Sequence, residues 1–387
     1  MTTTTTQQVP YLDLGRARQR IAAPLEERWR RILAASAFVL GPEVRELEQG
    51  FAAWLGAEAC AAVANGTDAL VLALRALGVG GGAGDEVIVP AFSFFATVEA
   101  VVLAGGVPVF CDVEAATFNL DPADAAARIT PRTKGILGVH LYGRPFDAGQ
   151  VLELCDRHGL WLLEDAAQAH GAVYRGRRVG TLGRLAAWSF YPTKNLGCFG
   201  DGGAVTGNDR ELVERVRRLA NHGQDSRYHH VEMGVNSRLD SLQAAVLNCR
   251  LPLLEADNAR RRELARRYHD GLAGAGDLAL PPADPPGCLS VFHQLTVRTA
   301  HRDALMRHLA GLGIGSSVHY PTPLHLQPAL AGTAAAANPA NPANAGDLPE
   351  ATRAAAEVLC LPMYAELRDE EVEAVCEAVR GFFTGRP

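Results

Sequence analysis

The sequence predicts an α/β fold: a largely parallel central sheet covered by helices, followed by a smaller α+β unit. Short apolar runs alternate with helical patterns from about residue 9 to residue 250. The runs are apolar throughout, as strands buried on both faces require. After about residue 240 this alternation gives way to long helical patterns with few strands between them. The two units are expected at 1–250 and 251–387.

Taken in order, the polar N-terminus up to about Gln8 is expected to fray. Strands are expected at Glu86–Pro90, Val107–Asp112, Gly135–Leu141, Leu160–Asp165, Ala186–Tyr191 and Gly203–Thr206. Helices lie between most of them, for example Asp68–Leu77, Ala96–Ala104 and Ala148–His158. Leu239–Leu272 reads as a long helix interrupted at Pro252. A strand at Phe292–Arg298, a helix at Asp303–Gly313, a strand at Ile314–His319 and a final helix at Asp369–Phe382 complete the smaller unit. Ala331–Ala345 is rich in Ala, Pro and Asn and reads as a surface insertion with no chemistry of its own.

Composition narrows the function classes. The 387 residues are 48% hydrophobic and 21% charged, an ordinary globular balance. A formal net charge of −6 gives no basic field for nucleic acid. No uncharged apolar run approaches the ~20 residues that span a bilayer, so no membrane partner is expected. The N-terminus has neither the charged nor the apolar region of a secretory signal. The eight cysteines are scattered singly, with no metal-site spacing, and read as core residues of a cytoplasmic protein.

Several residues carry chemistry beyond packing. Asp165 ends the apolar run LWLLED, where open α/β sheets present groups to ligands; a helix N-cap is the other reading of this carboxylate. Lys194 lies in SFYPTKNLGCFGDGGAV among apolar and small residues. Burial there lowers the pKa of an amine and favours Schiff-base chemistry. Gly66 and Thr67 open a helical pattern whose first N–H groups suit an anion, although Asn-Gly is also a common turn. Ser189 offers a further hydroxyl. A phosphate cradle, an acidic partner for a pyridinium nitrogen and a Schiff-base lysine together describe a pyridoxal 5′-phosphate site.

These stretches resemble the sugar aminotransferases of the DegT/DnrJ/EryC1/StrS family, a fold-type-I pyridoxal-phosphate group. The likeness runs from YLDL at Tyr11 to LPMY at Leu361, through ANGTDAL, GDEVIVPAFSFFAT, EDAAQAHGA, SFYPTKNLGCFGDGGAV, NHG and GVNSRLDSLQAAVL. The resemblance implies that Lys194 bonds to the cofactor aldehyde and Asp165 pairs with its ring nitrogen. It implies that Gly66, Thr67 and Ser189 hold the phosphate, that Phe94 stacks on the ring and that Gln168 lies beside the ring hydroxyl. Asn236 is implied to reach the phosphate in the neighbouring subunit, which makes a homodimer part of the site. Arg238 is implied in substrate binding, with an ion pair to Asp240 or Glu232 as the alternative. His222, His319 and Tyr320 are placed at the border of the sugar pocket. One branch of the family carries histidine in place of the lysine and removes a sugar hydroxyl instead; Lys194 favours transamination.

The expected reaction moves an amino group from L-glutamate to a keto sugar carried on a nucleotide, by ping-pong steps in which Lys194 is general base and acid. The basic and aromatic stretch Arg227-Tyr228-His229-His230 resembles branches acting on 3-keto sugars, which favours C3 over C4; a solvated loop is the plainer reading of that stretch. A keto-cyclitol such as scyllo-inosose is the alternative substrate. A non-catalytic binding protein with this fold is the reading from another class, and Lys194 and Asp165 together argue against it.

Overall fold

The computed structural model describes residues 8–82, 84–338, 341 and 347–385. Seven strands form the central sheet: β1 (Ala59–Val63), β2 (Glu86–Pro90), β3 (Val107–Cys111), β4 (Thr133–Val139), β5 (Trp161–Asp165), β6 (Leu185–Ser189) and β7 (Gly203–Gly207). Their spatial order is β1-β7-β6-β5-β4-β2-β3. Only β7 runs against its neighbours, pairing antiparallel with both β6 and β1, while the β6-β5-β4-β2-β3 pairs are parallel. An antiparallel neighbour needs no crossover helix. The chain from β6 to β7 therefore runs as a loop, and that loop carries Lys194.

Successive strand residues point to opposite faces, and both faces are buried. Ile88, Ile136, Leu162 and Ala186 join one core with Phe51, Val151 and Leu247 of the helices Pro42–Leu55, Ala148–His158 and Ser241–Arg250. Their chain neighbours Val89, Leu137, Leu163 and Ala187 join another with Leu70, Val101 and Val216 of the helices Gly66–Ala76, Ala96–Leu103 and Arg210–Ala220. This is the expected α/β architecture. A third core gathers Leu264, Tyr268, Leu295, Leu305, Leu359 and Val379, and it also takes in Val9 from near the N-terminus.

Two sequence readings change. Ile314–His319 is not a strand: Ile314 makes a single bridge to Val9 and Ser317 one to Cys360. Leu295–Arg298 pairs antiparallel with Val358–Leu361. The segment Ile314-Gly315-Ser316-Ser317 has too few side chains to hold a buried strand, and beyond it His319 and Tyr320 line a cavity. The strand expected from Phe292 starts only at Leu295, because Phe292 has a φ of 42° and the chain there turns to bring His293 and Gln294 to the same cavity.

Pro252 breaks the long helix as expected, into Ser241–Arg250 and Leu254–Leu272 with one 3₁₀ turn between. In the Ala-rich insertion, the Asn341 carboxamide accepts from the Phe110 N–H and donates to the Pro108 carbonyl, each at 2.8 Å. It thereby covers part of the free edge of β3. The rest of that insertion beyond Asn338, like the N-terminus before Gln8, lies outside the described residues.

Candidate active site

The site forms where β5 and β6 end side by side. Their parallel register sets Asp165 opposite Ala187, and Val139 of β4 opposite Asp165. A cavity of about 600 Å³ opens there. Glu164, the residue before Asp165, points the other way and is fully buried. It accepts from His140 Nε2 at 3.0 Å and from the N–H groups of Gly180, Leu182 and Gly183 at 2.7 to 2.9 Å. Adjacent carboxylates thus divide the work: one fixes the 180–183 turn, the other faces the cavity.

Asp165 Oδ2 accepts from the Thr97 hydroxyl at 3.0 Å, and Oδ1 from the Ala167 N–H at 3.2 Å. Ser93 lies 3.0 Å from Thr97 Oγ1 and orients it. Burial pushes the Asp165 carboxyl above its usual range, against the pull of these donors and of Lys194. Burial pushes the Lys194 amine down to about 8, and Asp165 offsets part of that shift. Lys194 Nζ has no hydrogen bond or ion pair among the described residues. The chain has only one other lysine, Lys134, half exposed and 3.5 Å from Asp85.

Another stretch of the cavity wall is built by Asn65, Gly66, Thr67 and Ser189. Asn65 Oδ1 caps the Gly66–Ala76 helix through the Asp68 N–H at 2.8 Å. The N–H groups of Gly66 and Thr67, first in the helix, have no acceptor within it. A Cβ on Gly66 would meet Ser189 Cβ at 2.7 Å, so the close approach of helix and β6 needs glycine here.

The remaining walls come from distant segments. Gln168 Oε1 accepts the Tyr142 N–H at 2.6 Å, which turns its Nε2 towards the Tyr320 hydroxyl at 3.1 Å. Tyr142 in turn hydrogen-bonds the His319 carbonyl. Phe94 is 54% exposed and packs its ring 5.7 Å from that of Tyr320, so it is not a core residue. His319 is driven down to about 4 by burial and by Lys194.

One cavity therefore holds Gly66, Thr67, Phe94, Asp165, Gln168, Ser189, Lys194, His319 and Tyr320. It does not hold His222, Asn236 or Arg238. His222 and Asn236 are exposed, and a bridge joins Asn236 to Asn221. Arg238 donates to Asn221 Oδ1 at 3.0 Å, and no ion pair links it to Asp240 or Glu232, the latter being held by Arg215 and Arg218. The Arg227–His230 stretch lies on an exposed two-stranded hairpin. Ser93, Thr97, His293 and Gln294 were not singled out from sequence. The spacing of Ser93 and Thr97, one helical turn apart beside the sheet, was the available signal.

The cavity fits pyridoxal phosphate. It has anion donors at a glycine-dependent close approach, a buried carboxylate and an unpartnered, depressed amine. Together with a seven-stranded sheet containing one antiparallel strand, this defines the class: a pyridoxal-phosphate-dependent aminotransferase of fold type I.

The DegT/DnrJ/EryC1/StrS aminotransferase family model matches residues 19–380. The chain is 47% identical over 375 residues to the dTDP-3-amino-3,4,6-trideoxy-alpha-D-glucose transaminase of Streptomyces venezuelae, covering 97% of this chain and 96% of that one. It is 42% identical over 371 residues to the UDP-2-acetamido-2-deoxy-3-oxo-D-glucuronate aminotransferase of Pseudomonas aeruginosa, covering 96% and 99%. Among solved structures, S. venezuelae DesV in complex with a ketimine intermediate superimposes with a TM-score of 0.91 at 47% identity, covering 96% of this chain and 98% of that one. The chain belongs to the DegT/DnrJ/EryC1/StrS aminotransferase family.

The depressed lysine makes a pH prediction. Only the neutral amine condenses with an aldehyde, and its fraction rises with pH through the pKa. In the cofactor-free protein, the rate of reaction of Lys194 with pyridoxal phosphate should therefore be half-maximal near pH 8, the pKa being about 8. A midpoint at the ordinary lysine value of about 10.4 would mean that burial does not tune this amine.

Proposed function

We propose that this chain transfers an amino group from L-glutamate to C3 of a keto sugar carried on a nucleoside diphosphate, in amino-sugar biosynthesis. The observation that carries the reading is the Lys194 amine, depressed to about 8 and sharing one cavity with the buried Asp165 carboxylate. When bound, the cofactor supplies an aldehyde that captures the amino group and a ring that accepts the electron pair of the broken C–H bond. Lys194 Nζ would take that proton and return it two atoms along, a 1,3-shift. Asp165 keeps a proton on the ring nitrogen. Gly66, Thr67 and Ser189 hold the phosphate, Phe94 covers the ring, and Gln168, its amide turned by Tyr142, donates towards the ring hydroxyl. His319 and Tyr320 border the sugar.

C3 is favoured because the S. venezuelae relative is named for a dTDP-linked 3-amino sugar and the P. aeruginosa relative for a UDP-linked 3-oxo sugar. These names do not favour the keto-cyclitol alternative.

The active form in this reading is a homodimer that shares its sites. Asn236, Arg238 and His222 lie on one stretch outside the chain's own cavity, joined through Asn221. Nearby, Met233 is 91% exposed and Tyr228, under the Arg227 guanidinium, is 79% exposed, which leaves both available to a second copy. From that stretch Asn236 is assigned to the phosphate in the neighbouring subunit, and Arg238 and His222 to its substrate. All eight cysteines are unpaired, which suits the reducing cytoplasm.

A panel of dTDP- and UDP-linked 3-keto and 4-keto sugars, with scyllo-inosose beside them and L-glutamate as donor, tests the substrate. The expected outcome is amination of the 3-keto sugars, lost in Lys194→Ala together with at least the ~10²–10⁴-fold that a positioned acid–base contributes. Turnover of scyllo-inosose alone would contradict the assignment. Shared sites predict complementation. Lys194→Ala and Asn236→Ala chains, each inactive or weak alone, should regain up to about half of wild-type activity per mixed dimer when coexpressed, since one of two sites is then intact. No gain on coexpression would place Asn236 outside the site.

A further inference from the structure

Behind the lysine, a chain of amide and ring side chains runs from the Leu254–Leu272 helix to the cavity. Asn258, fully buried on that helix, donates from Nδ2 to the His170 carbonyl at 2.7 Å. Its Oδ1 accepts from Asn195 Nδ2 at 3.0 Å, and the same Asn195 nitrogen donates to the Val291 carbonyl at 3.1 Å. Backbone carbonyls only accept. The carbonyls of His170 and Val291 therefore fix which way both amides face, and both hydrogens of Asn195 Nδ2 are used.

It follows that Asn195 presents Oδ1, an acceptor, to His293 Nδ1 at 3.2 Å. Nδ1 must carry the ring hydrogen, which leaves a lone pair on Nε2. His293 lines the cavity, and Nε2 has no hydrogen-bond partner among the described residues. The backbone of the ring is also held: the buried Arg261 donates from Nη1 to the carbonyls of Phe292 at 3.0 Å, His293 at 3.4 Å and Met363 at 3.0 Å. Burial drives the ring pKa well below its ordinary value, and Lys194, Arg261, His170 and His319 add to that. The ring is thus neutral at pH 7 and cannot turn its acceptor into a donor.

Lys194 lines the same cavity, its charge acts on the His293 ring, its chain neighbour Asn195 accepts from that ring, and its Nζ has no partner among the described residues. We propose that His293 is a positioning residue for amino transfer, whose Nε2 accepts a hydrogen bond from the freed Lys194 amine and holds it where the proton is moved. This rests on the aminotransferase reading, but not on the identity of the sugar.

Two substitutions separate the two ring nitrogens. His293→Asn keeps a donor towards Asn195 and removes the Nε2 acceptor; His293→Gln places an acceptor near Nε2. In the cofactor-free chain, whose Lys194 Nζ has no hydrogen bond among the described residues, the pH midpoint of Lys194 acylation, followed by peptide mass spectrometry, should stay near wild type in both variants. In the loaded enzyme the glutamate half-reaction should slow by roughly 10- to 100-fold in His293→Asn, the range of a hydrogen bond to a charged group, with glutamate KM little changed and with partial recovery in His293→Gln.

Equal half-reaction rates in wild type and both variants would make His293 purely structural and overturn the proposal. If wild type itself shows no half-reaction with glutamate, the aminotransferase reading fails instead. If His293→Asn does not fold, the ¹⁵N spectrum of histidine-labelled wild type decides: hydrogen on Nδ1 supports the proposal, and hydrogen on Nε2 refutes it.

Discussion

Two charges are kept out of water at the mouth of one sheet, and the site is organised around that cost. Lys194 and Asp165 come from adjacent strand ends, yet no hydrogen bond joins them among the described residues. Burial drives the amine down and the carboxyl up, so each is held away from its preferred charge. A molecule with an electrophile for the amine and a protonatable nitrogen for the carboxylate relieves both at once. Strain of this kind is what a cofactor site stores, and an internal salt bridge would have discharged it.

The rest of the fold keeps that geometry from relaxing. Glu164 gathers four donors on the far side of the strand and fixes the direction in which Asp165 points. Thr97 and Ser93 approach the carboxylate from the neighbouring helix start. Asn258 and Arg261 reach in from the Leu254–Leu272 helix to hold the turn after Lys194 and the segment carrying His293. Gln168, Tyr142, Tyr320 and His319 tie the sheet to the segment that follows Gly315. The cavity is therefore a joint between distant parts of the chain.

How much of this is legible in the sequence depends on how local the determinant is. Buried strands show as continuous apolar runs, so β2 to β7 could be placed to within two residues, and the helix Ala148–His158 to the residue. The Ala-rich β1 and the Val358–Leu361 strand lack that contrast with their surroundings and were not placed. Ile314–His319 carries β-branched Ile and Val, but the Gly-Ser-Ser between them offers little to bury, and only single bridges to Val9 and Cys360 form. At the site, Asp165 and Lys194 stand out because charge interrupts an apolar context. His293 does not: its tautomer is fixed by Asn195, Asn258 and two backbone carbonyls brought together from four separate segments. The role proposed for Asn236 needs a second copy of the chain, which neither local pattern nor single-chain packing contains.

The central claim is that one particular amine meets the cofactor. Borohydride reduction of the loaded enzyme, followed by peptide mapping, tests it directly, because the chain offers only Lys134 and Lys194. The account predicts a single phosphopyridoxyl adduct on the peptide containing Lys194. An adduct on Lys134, or none on either lysine in an enzyme that has taken up cofactor, would contradict it.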